Sequence, residues 1–477
     1  MSRVSPAREL AFATIRASFE QDAFTERAFR AAAAERGVEG RERAQAQRLA
    51  YGAVQRRATA DAAIERLAER SPRLLDPPVL AALRLGLYEL LFAEGTPDHA
   101  AVDQAVELAK AAGAGHAAGL VNAVLRRAAR ERVELTASLL GDDSSPERAA
   151  IAHSAPLWLA RMWWEELGAE IARPLLAACN EPAEVAFRVN TLRTDRETIL
   201  ARLREVGVAA HAVPSGAPYA SLGHIRRTGS EWPLDIPEMI VVEGRTGDVA
   251  GDLVASGELT PQSRGSAAVV EVLDPQPGDF VLDLCAGPGI KTGQIAARTG
   301  DRGETISVEP DAERAAETAA QARRLGLRSV TVVEADAAEN EMAPGFDRVL
   351  VDAPCSDLGT LASRPDARWR KSPRAIERLA DLQGRILRRA VAALRPGGVL
   401  VYSTCTISRR ENEAQVAALL DASAAGEAPP LELEDLGAHA PALASPHDPH
   451  CLQLRPDRDR TTGFFVCRLV RRHDGNP

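Results

Sequence analysis

Two cysteines sit in compact motifs some fifty residues apart: Cys355 in Asp352-Ala353-Pro354-Cys355-Ser356 and Cys405 in Tyr402-Ser403-Thr404-Cys405-Thr406. Each follows an apolar run, Arg348-Val349-Leu350-Val351 or Gly398-Val399-Leu400-Val401, of the kind that buried parallel strands use. Both sulfurs therefore belong at strand C-terminal ends, where open α/β sheets build their sites. A thiolate so placed is a nucleophile for covalent catalysis, and the Asp352 carboxyl in the same motif offers proton transfer or hydrogen bonding. The competing reading makes both cysteines small buried apolar side chains, the ordinary fate of a free thiol.

A glycine-rich loop, Cys285-Ala286-Gly287-Pro288-Gly289-Ile290-Lys291-Thr292, follows another strand-like run and opens a helix. It matches neither the phosphate-binding pattern G-x-x-x-x-G-K-[ST] nor G-x-G-x-x-G. Small residues let a ligand approach the backbone, and a helix amino end offers N–H donors and a positive dipole to a carboxylate. S-adenosylmethionine ends in such a carboxylate. Glu309, at the tip of the next strand, stands where an acid takes ribose hydroxyls, and Asp336 after the third strand can accept from an adenine amino group.

A methyl donor beside two thiols points to a pyrimidine. Cytosine C5 becomes nucleophilic once a thiolate adds at C6, charge at N3 needs a neighbouring carboxyl such as Asp352, and a second thiol assists release after the C5 proton leaves.

The elements that must position these groups fall into three blocks. Residues 1–138 read as an all-α bundle: Asp76-Pro77-Pro78 has the form of a helix start, and Leu80, Leu83, Leu87, Leu90 and Leu91 recur at helical spacing. Further helices carry Val102, Ala105, Val106 and Ala109, then Leu120 to Arg127. The polar stretch Gly141-Asp142-Asp143-Ser144-Ser145-Pro146 reads as a linker. Residues 148–260 mix a helix over 156–167, a strand over 185–190 and short strand-like pieces, a small α+β module. From 261 to 477 strands and helices alternate, with strands expected over 279–284, 305–308, 330–333, 348–351, 399–402 and 463–469; this is a Rossmann-like α/β domain. Residues 421–430 and 438–450 read as loops.

With 477 residues, of which 45% are apolar, the chain has material for about three cores. Its six cysteines include no C-x-x-C pair, so neither a disulfide framework nor a metal is expected, and the His447, His450 and Cys451 cluster is read as an ordinary loop. The start at Met1 lacks the apolar core of an export signal, and no run approaches the ~20 apolar residues of a membrane span, so a cytoplasmic location is expected. Net charge is −9, which opposes nucleic-acid binding on its face, yet residues 1–135 carry 20 Lys and Arg against 18 Asp and Glu. The acidity lies in the remainder.

The three motifs, with Glu411-Asn412-Glu413 beyond, resemble the Sun/Nop family of RNA cytosine-C5 methyltransferases. The first block, with Leu83-Arg84-Leu85-Gly86, Asp98-His99-Ala100-Ala101-Val102 and Val121-Asn122-Ala123-Val124-Leu125-Arg126-Arg127, is similar to the NusB-like domain of the family's bacterial 16S rRNA members. The resemblance implies that Cys405 is the nucleophile, that Cys355 promotes release, and that residues 285–291, Glu309, Asp336 and Asp352 contact S-adenosylmethionine. It also implies that the substrate is RNA rather than DNA, whose methyltransferases take the nucleophile from the Pro-Cys motif. This chain departs from the family pattern at Gly287, Ile290, Ser263 and Asp357, where alanine, glycine, aspartate and glycine are usual.

After the Pro-Cys motif, Arg364, Arg368, Trp369, Arg370 and Lys371 mix cations with an indole, a pattern suited to phosphates and an unstacked base. Ser408-Arg409-Arg410-Glu411 reads as a capping box, making Glu411 structural. The expected protein is an S-adenosylmethionine-dependent monomer acting on 16S rRNA, in a loop or before assembly is complete. The alternatives are the same catalyst on tRNA, and a non-catalytic RNA-binding assembly factor.

Overall fold

The computed structural model describes residues 4–212, 225–227, 230–232, 236–244 and 246–473. Contacts divide the chain into two compact units, Met1–Glu181 with Leu361–Ser372, and Pro182–Thr360 with Pro373–Pro477.

In the first unit the described residues are helical, and the apolar stripes meet in one core. Helix Pro77–Leu91 buries Val79, Leu83, Leu87 and Leu90, and the Asp98–Ala111 and Ala118–Arg130 helices add Val102, Ala105, Val121, Val124 and Leu125. Gly86 is required there, since a Cβ on it would lie 2.6 Å from Leu125 Cδ1. Asp76 precedes its helix but makes no capping bond; its carboxylate meets His116 Nε2 at 3.1 Å. The helices Pro146–Ala152, Leu157–Leu167 and Ala169–Ala178 go with this unit by contacts, rather than with the sheet that follows them in sequence.

The second unit opens with the small module. Strands β1 (Ala186–Val189), β2 (Ala209–His211), β5 (Met239–Glu243) and β6 (Leu259–Pro261) form an antiparallel sheet ordered β2-β5-β1-β6, while β3 (Ile225–Arg227) pairs with β4 (Ser230–Trp232). One face packs on the helices Arg196–Glu205 and Gly247–Ala255 through Val189, Ile199, Leu203, Ile240 and Leu253. Polar groups tie the module to the helices that follow. Arg188 Nε donates to Gln262 Oε1 at 2.8 Å, Gln262 Nε2 to Gln294 Oε1 at 2.6 Å, and Arg298 clamps Glu238 at 2.7 and 2.8 Å.

The remaining strands are β7 (Phe280–Asp283), β8 (Glu304–Glu309), β9 (Val330–Glu334), β10 (Phe346–Asp352), β11 (Leu394–Thr404), β12 (Leu431–Leu433), β13 (Leu452–Leu454) and β14 (Phe464–Arg471). They form one sheet ordered β9-β8-β7-β10-β11-β14-β12, with β13 paired to β14. From β9 to β11 neighbours are parallel; β14 runs antiparallel to β11, β12 and β13. Strand order reverses between β7 and β10, and ligands of such sheets lie beyond the strand ends at that switch point.

The expected strands all form, and the edges are where the reading fell short. β12 and β13 were not foreseen, because a three-residue strand carries too little alternation to be recognised. The helix Glu413–Ala424 enters the first expected loop, and Leu436–His439 and Pro441–Leu443 are short helical turns within or beside the second.

Candidate active site

Parallel pairing of β10 with β11 sets Asp352 opposite Ser403. Both chains then leave the sheet side by side, which brings Cys355 Sγ to 3.3 Å from Cys405 Sγ. Asp357 Oδ1 lies 3.2 Å from Cys405 Sγ and accepts its S–H. Hydrogen bonding to Cys355, then burial, then the carboxylates of Asp357 and Asp352 push the Cys405 thiol well above its ordinary range.

The loops bearing the sulfurs are bound to each other. Ser356 Oγ and Thr406 Oγ1 are 2.6 Å apart, and the buried Glu411 takes the Ser356 backbone N–H at 2.9 Å, the Ser356 hydroxyl, and Gln383 Nε2 at 3.2 Å. Gln383 also donates to Pro354 O at 2.9 Å. Asn412 anchors the other side: its Oδ1 accepts from Thr404 Oγ1 at 2.5 Å and its Nδ2 donates to Thr406 O at 3.2 Å. The expected capping box does not form. The helix begins at Glu413 with Asn412 before it, and the Glu411 carboxylate points to the Pro-Cys loop instead of back to Ser408. Of these positioning groups sequence reasoning missed Gln383 and Asn412; a buried glutamine in the middle of a helix was the available signal.

Asp352 is held at both oxygens, by Lys291 Nζ at 2.6 Å and by Ser403 Oγ at 2.8 Å. The Lys291 ammonium also lies 4.8 Å from the Phe464 ring centre. Lys291, expected at the cofactor, thus turns to the carboxylate beside Cys355.

The glycine loop occupies the β7 end of the switch point. Gly287 and Gly289 adopt left-handed backbone, φ 55° and 79°, and Gly289 caps the helix Ile290–Arg298. A Cβ on Gly289 would lie 2.7 Å from Thr318 Cγ2, while space beside Gly287 is open for at least 4 Å. Gly287 N–H donates to the buried Glu309 at 3.0 Å, and Thr318 Oγ1 to Gly287 O at 2.7 Å. Asp336, exposed past β9, accepts from Ala338 N at 2.8 Å. Cys285, Ala286 and Pro288 line the same turn, and Ile290 is half-buried at the first helical position. Ser263, which stands in place of an acid, caps the helix Arg264–Leu273 and meets Thr462 Oγ1 at 2.6 Å.

The description 16S rRNA methyltransferase RsmB/F matches residues 270–470, the NusB family matches 5–130, and an RsmF/B-like ferredoxin-like domain matches 155–219. The Synechocystis protein named "Probable ribosomal RNA small subunit methyltransferase B" is 31% identical over 467 residues, covering 97% of this chain and 99% of its own length. The chain belongs to the RsmB/F family of 16S rRNA methyltransferases. An Escherichia coli relative named ribosomal RNA small subunit methyltransferase B is 30% identical, with 91% of this chain and 92% of the relative covered. Among solved structures, NSun6 from Pyrococcus horikoshii, crystallised with SFG, superposes with a TM-score of 0.55 at 23% identity over 67% of this chain and 99% of its own, a likeness of fold.

As an RsmB/F-family member the chain is an enzyme, with a NusB helical domain, a small ferredoxin-like module and a Rossmann-like methyltransferase domain. One expectation about its RNA contacts needs correcting. The segment from Arg364 to Lys371 contains a short helix, Ala367–Arg370, built into the helical unit. Arg368 is only 1% exposed and donates to Ser154 O, Asn180 Oδ1, Cys179 O and Leu361 O at 2.8 to 3.1 Å. Burial pushes this guanidinium down to about 10. Trp369 Nε1 donates to Val54 O at 2.8 Å under Arg57, and Arg370 pairs with Asp22 at 2.9 Å. Arg368 and Trp369 are therefore packing groups, because backbone carbonyls satisfy the donors that phosphates were expected to take. Arg364 is exposed and Lys371 half-buried. Among the described residues no helix is long and apolar enough to cross a membrane.

Proposed function

We propose that the enzyme methylates C5 of a cytosine in 16S rRNA through a covalent bond between Cys405 and C6. The observation that carries this reading is the pair of sulfurs 3.3 Å apart beside a carboxylate, at the ends of adjacent parallel strands.

The cofactor cradle fits S-adenosylmethionine. Open space at Gly287 and the left-handed Gly289 turn leave room for its amino-acid end, the buried Glu309 suits ribose hydroxyls, and Asp336 suits the adenine amino group. When bound, S-adenosylmethionine supplies an electrophilic methyl group. The chain's residues do the rest. Cys405 passes its proton to Asp357, which accepts its S–H, and forms the bond to C6, which makes C5 nucleophilic. The Lys291–Asp352 pair relieves the charge that develops at N3. After C5 has been alkylated its proton leaves, the C6–S bond breaks, and Cys355 assists that collapse. The target base must leave its stack to reach a half-buried thiol, so an unpaired loop of rRNA that is not yet fully assembled suits the site.

Denaturing gels of enzyme incubated with 16S rRNA and labelled cofactor test the scheme. Cys355→Ala should accumulate a protein–RNA adduct and Cys405→Ala should form none. A double replacement that kept full turnover would overturn it, and labelling confined to tRNA would move the substrate.

A further inference from the structure

We propose that Cys355, Cys405 and Asp357 form a binding site for a thiophilic divalent cation, with zinc the fitting member of the class, and that its occupation reversibly blocks the nucleophile. The two sulfurs and a carboxylate oxygen of Asp357 all lie within 4.8 Å of one another, the only such grouping of three among the described residues. Two sulfurs and one oxygen are three of the four donors of a tetrahedral set suited to zinc, with water as the fourth.

The distances agree with this. Bonds of ~2.3 Å to sulfur at tetrahedral angles separate two sulfurs by roughly 3.8 Å. The observed 3.3 Å between Cys355 and Cys405 needs only a small opening by side-chain rotation. Asp357 Oδ1 lies 3.2 Å from Cys405 Sγ, near the separation of an oxygen and a sulfur bound to one zinc at tetrahedral angles.

The third ligand, Asp357, follows Cys355-Ser356 directly. Its backbone is left-handed, φ 60°, a conformation glycine adopts without strain and aspartate at some cost. A strained, charged residue against the nucleophile calls for a use. Expecting no metal rested on the lack of a C-x-x-C pair, whereas these ligands converge only through the pairing of β10 with β11.

The exchange balances simply: each thiol releases its proton to solvent as its sulfur bonds the cation, and a chelator reverses both bonds. While the cation is held, the metal engages the Cys405 electron pair that would attack C6, and the nucleophilicity of the sulfur falls. The proposal rests on the geometry of three side chains, so it stands apart from which RNA is methylated.

The test is a titration of the reduced, metal-free full chain with cobalt(II). A thiolate-to-cobalt band in the near ultraviolet, saturating at one equivalent and displaced by zinc, is expected, together with loss of methyl transfer that a chelator restores. Asp357→Gly should fold, since its backbone already suits glycine, keep the band, and bind zinc at least about tenfold more weakly. Three results would overturn the proposal: no band, unchanged affinity in Asp357→Gly, or a band that survives joint replacement of Cys355 and Cys405 by alanine, which would place the cation at other thiols such as Cys451 and Cys467.

Discussion

Thr292 Oγ1 donates at 2.7 Å to Asp283 Oδ2, a fully buried carboxyl at the end of β7 directly beneath the glycine loop. Burial pushes this carboxyl up to about 6, and the Thr292 bond only partly opposes that. Its folded value is raised above the unfolded one, so the protonated group favours the native state. That contribution is complete below the unfolded value of 3.8 and is lost as pH rises through about 6. The shift corresponds to roughly 3 kcal/mol of stability missing at about pH 8 relative to acid. Asp283→Asn should therefore flatten the dependence of urea midpoint on pH between about 5 and 8. Identical slopes in the two proteins would contradict this account.

Glu411 joins the loop that bears Cys355 to the chain that leaves β11, and its loss strands the buried Ser356 N–H and removes one of the two acceptors of the Gln383 amide. Glu411→Ala should cost about 2–4 kcal/mol by denaturation. The more informative variant is Glu411→Gln, which keeps the shape and weakens the acceptors. Its methyl-transfer rate in single turnover should fall by about tenfold to a hundredfold while cofactor affinity holds, because the thiols lose their mutual alignment. A drop in cofactor binding alone would place Glu411 elsewhere in the mechanism.

Arg368→Ala removes the guanidinium from the carbonyls of Ser154 and Leu361 and from Asn180 Oδ1, while the Cys179 carbonyl keeps its bond from Gln55 Nε2. We expect a loss of about 2–4 kcal/mol in the stability of the helical unit. Arg364→Ala, on an exposed side chain, should change stability by less than about 0.5 kcal/mol. If Arg364 meets an RNA phosphate, the slope of log affinity against log salt falls by about one in that variant. Unaltered melting of Arg368→Ala would show that its buried bonds carry no weight.

Gly289→Ala meets two obstacles, a φ of 79° and a Cβ 2.7 Å from the Thr318 methyl. The left-handed backbone alone costs roughly 1–2 kcal/mol. Thr318 also bonds Gly287 O, so a shift there distorts the loop proposed to cradle the cofactor. Calorimetry should show weaker binding of S-adenosylmethionine with RNA affinity unchanged; unchanged cofactor binding would remove this turn from the cradle.

Much of the site was legible in the primary structure. Apolar runs ending in Asp352 and in Ser403-Thr404, and a strand leading into Cys285 to Lys291, announce parallel strands with chemistry at their tips, because burial on both faces demands continuous apolar side chains. Helical spacing of Leu83, Leu87 and Leu90 marked a bundle core in the same way. These are local signals, and local periodicity survives in a single chain.

Other assignments depended on which groups end up adjacent. Arg368 and Trp369 look like an RNA-binding pair until carbonyls of distant helices are found to hold them, and Glu411 looks like a cap until Ser356 is found beside it. Composition and motif determined that two of the six cysteines follow strand-like runs, that a glycine loop follows another, and that the chain has three kinds of fold. Only the tertiary structure decided that the thiols touch, that Lys291 serves Asp352, and that Asp357 faces Cys405. The reason is the pairing of two parallel strands: a register set by buried side chains, not by neighbours in sequence, fixes what meets beyond the strand ends.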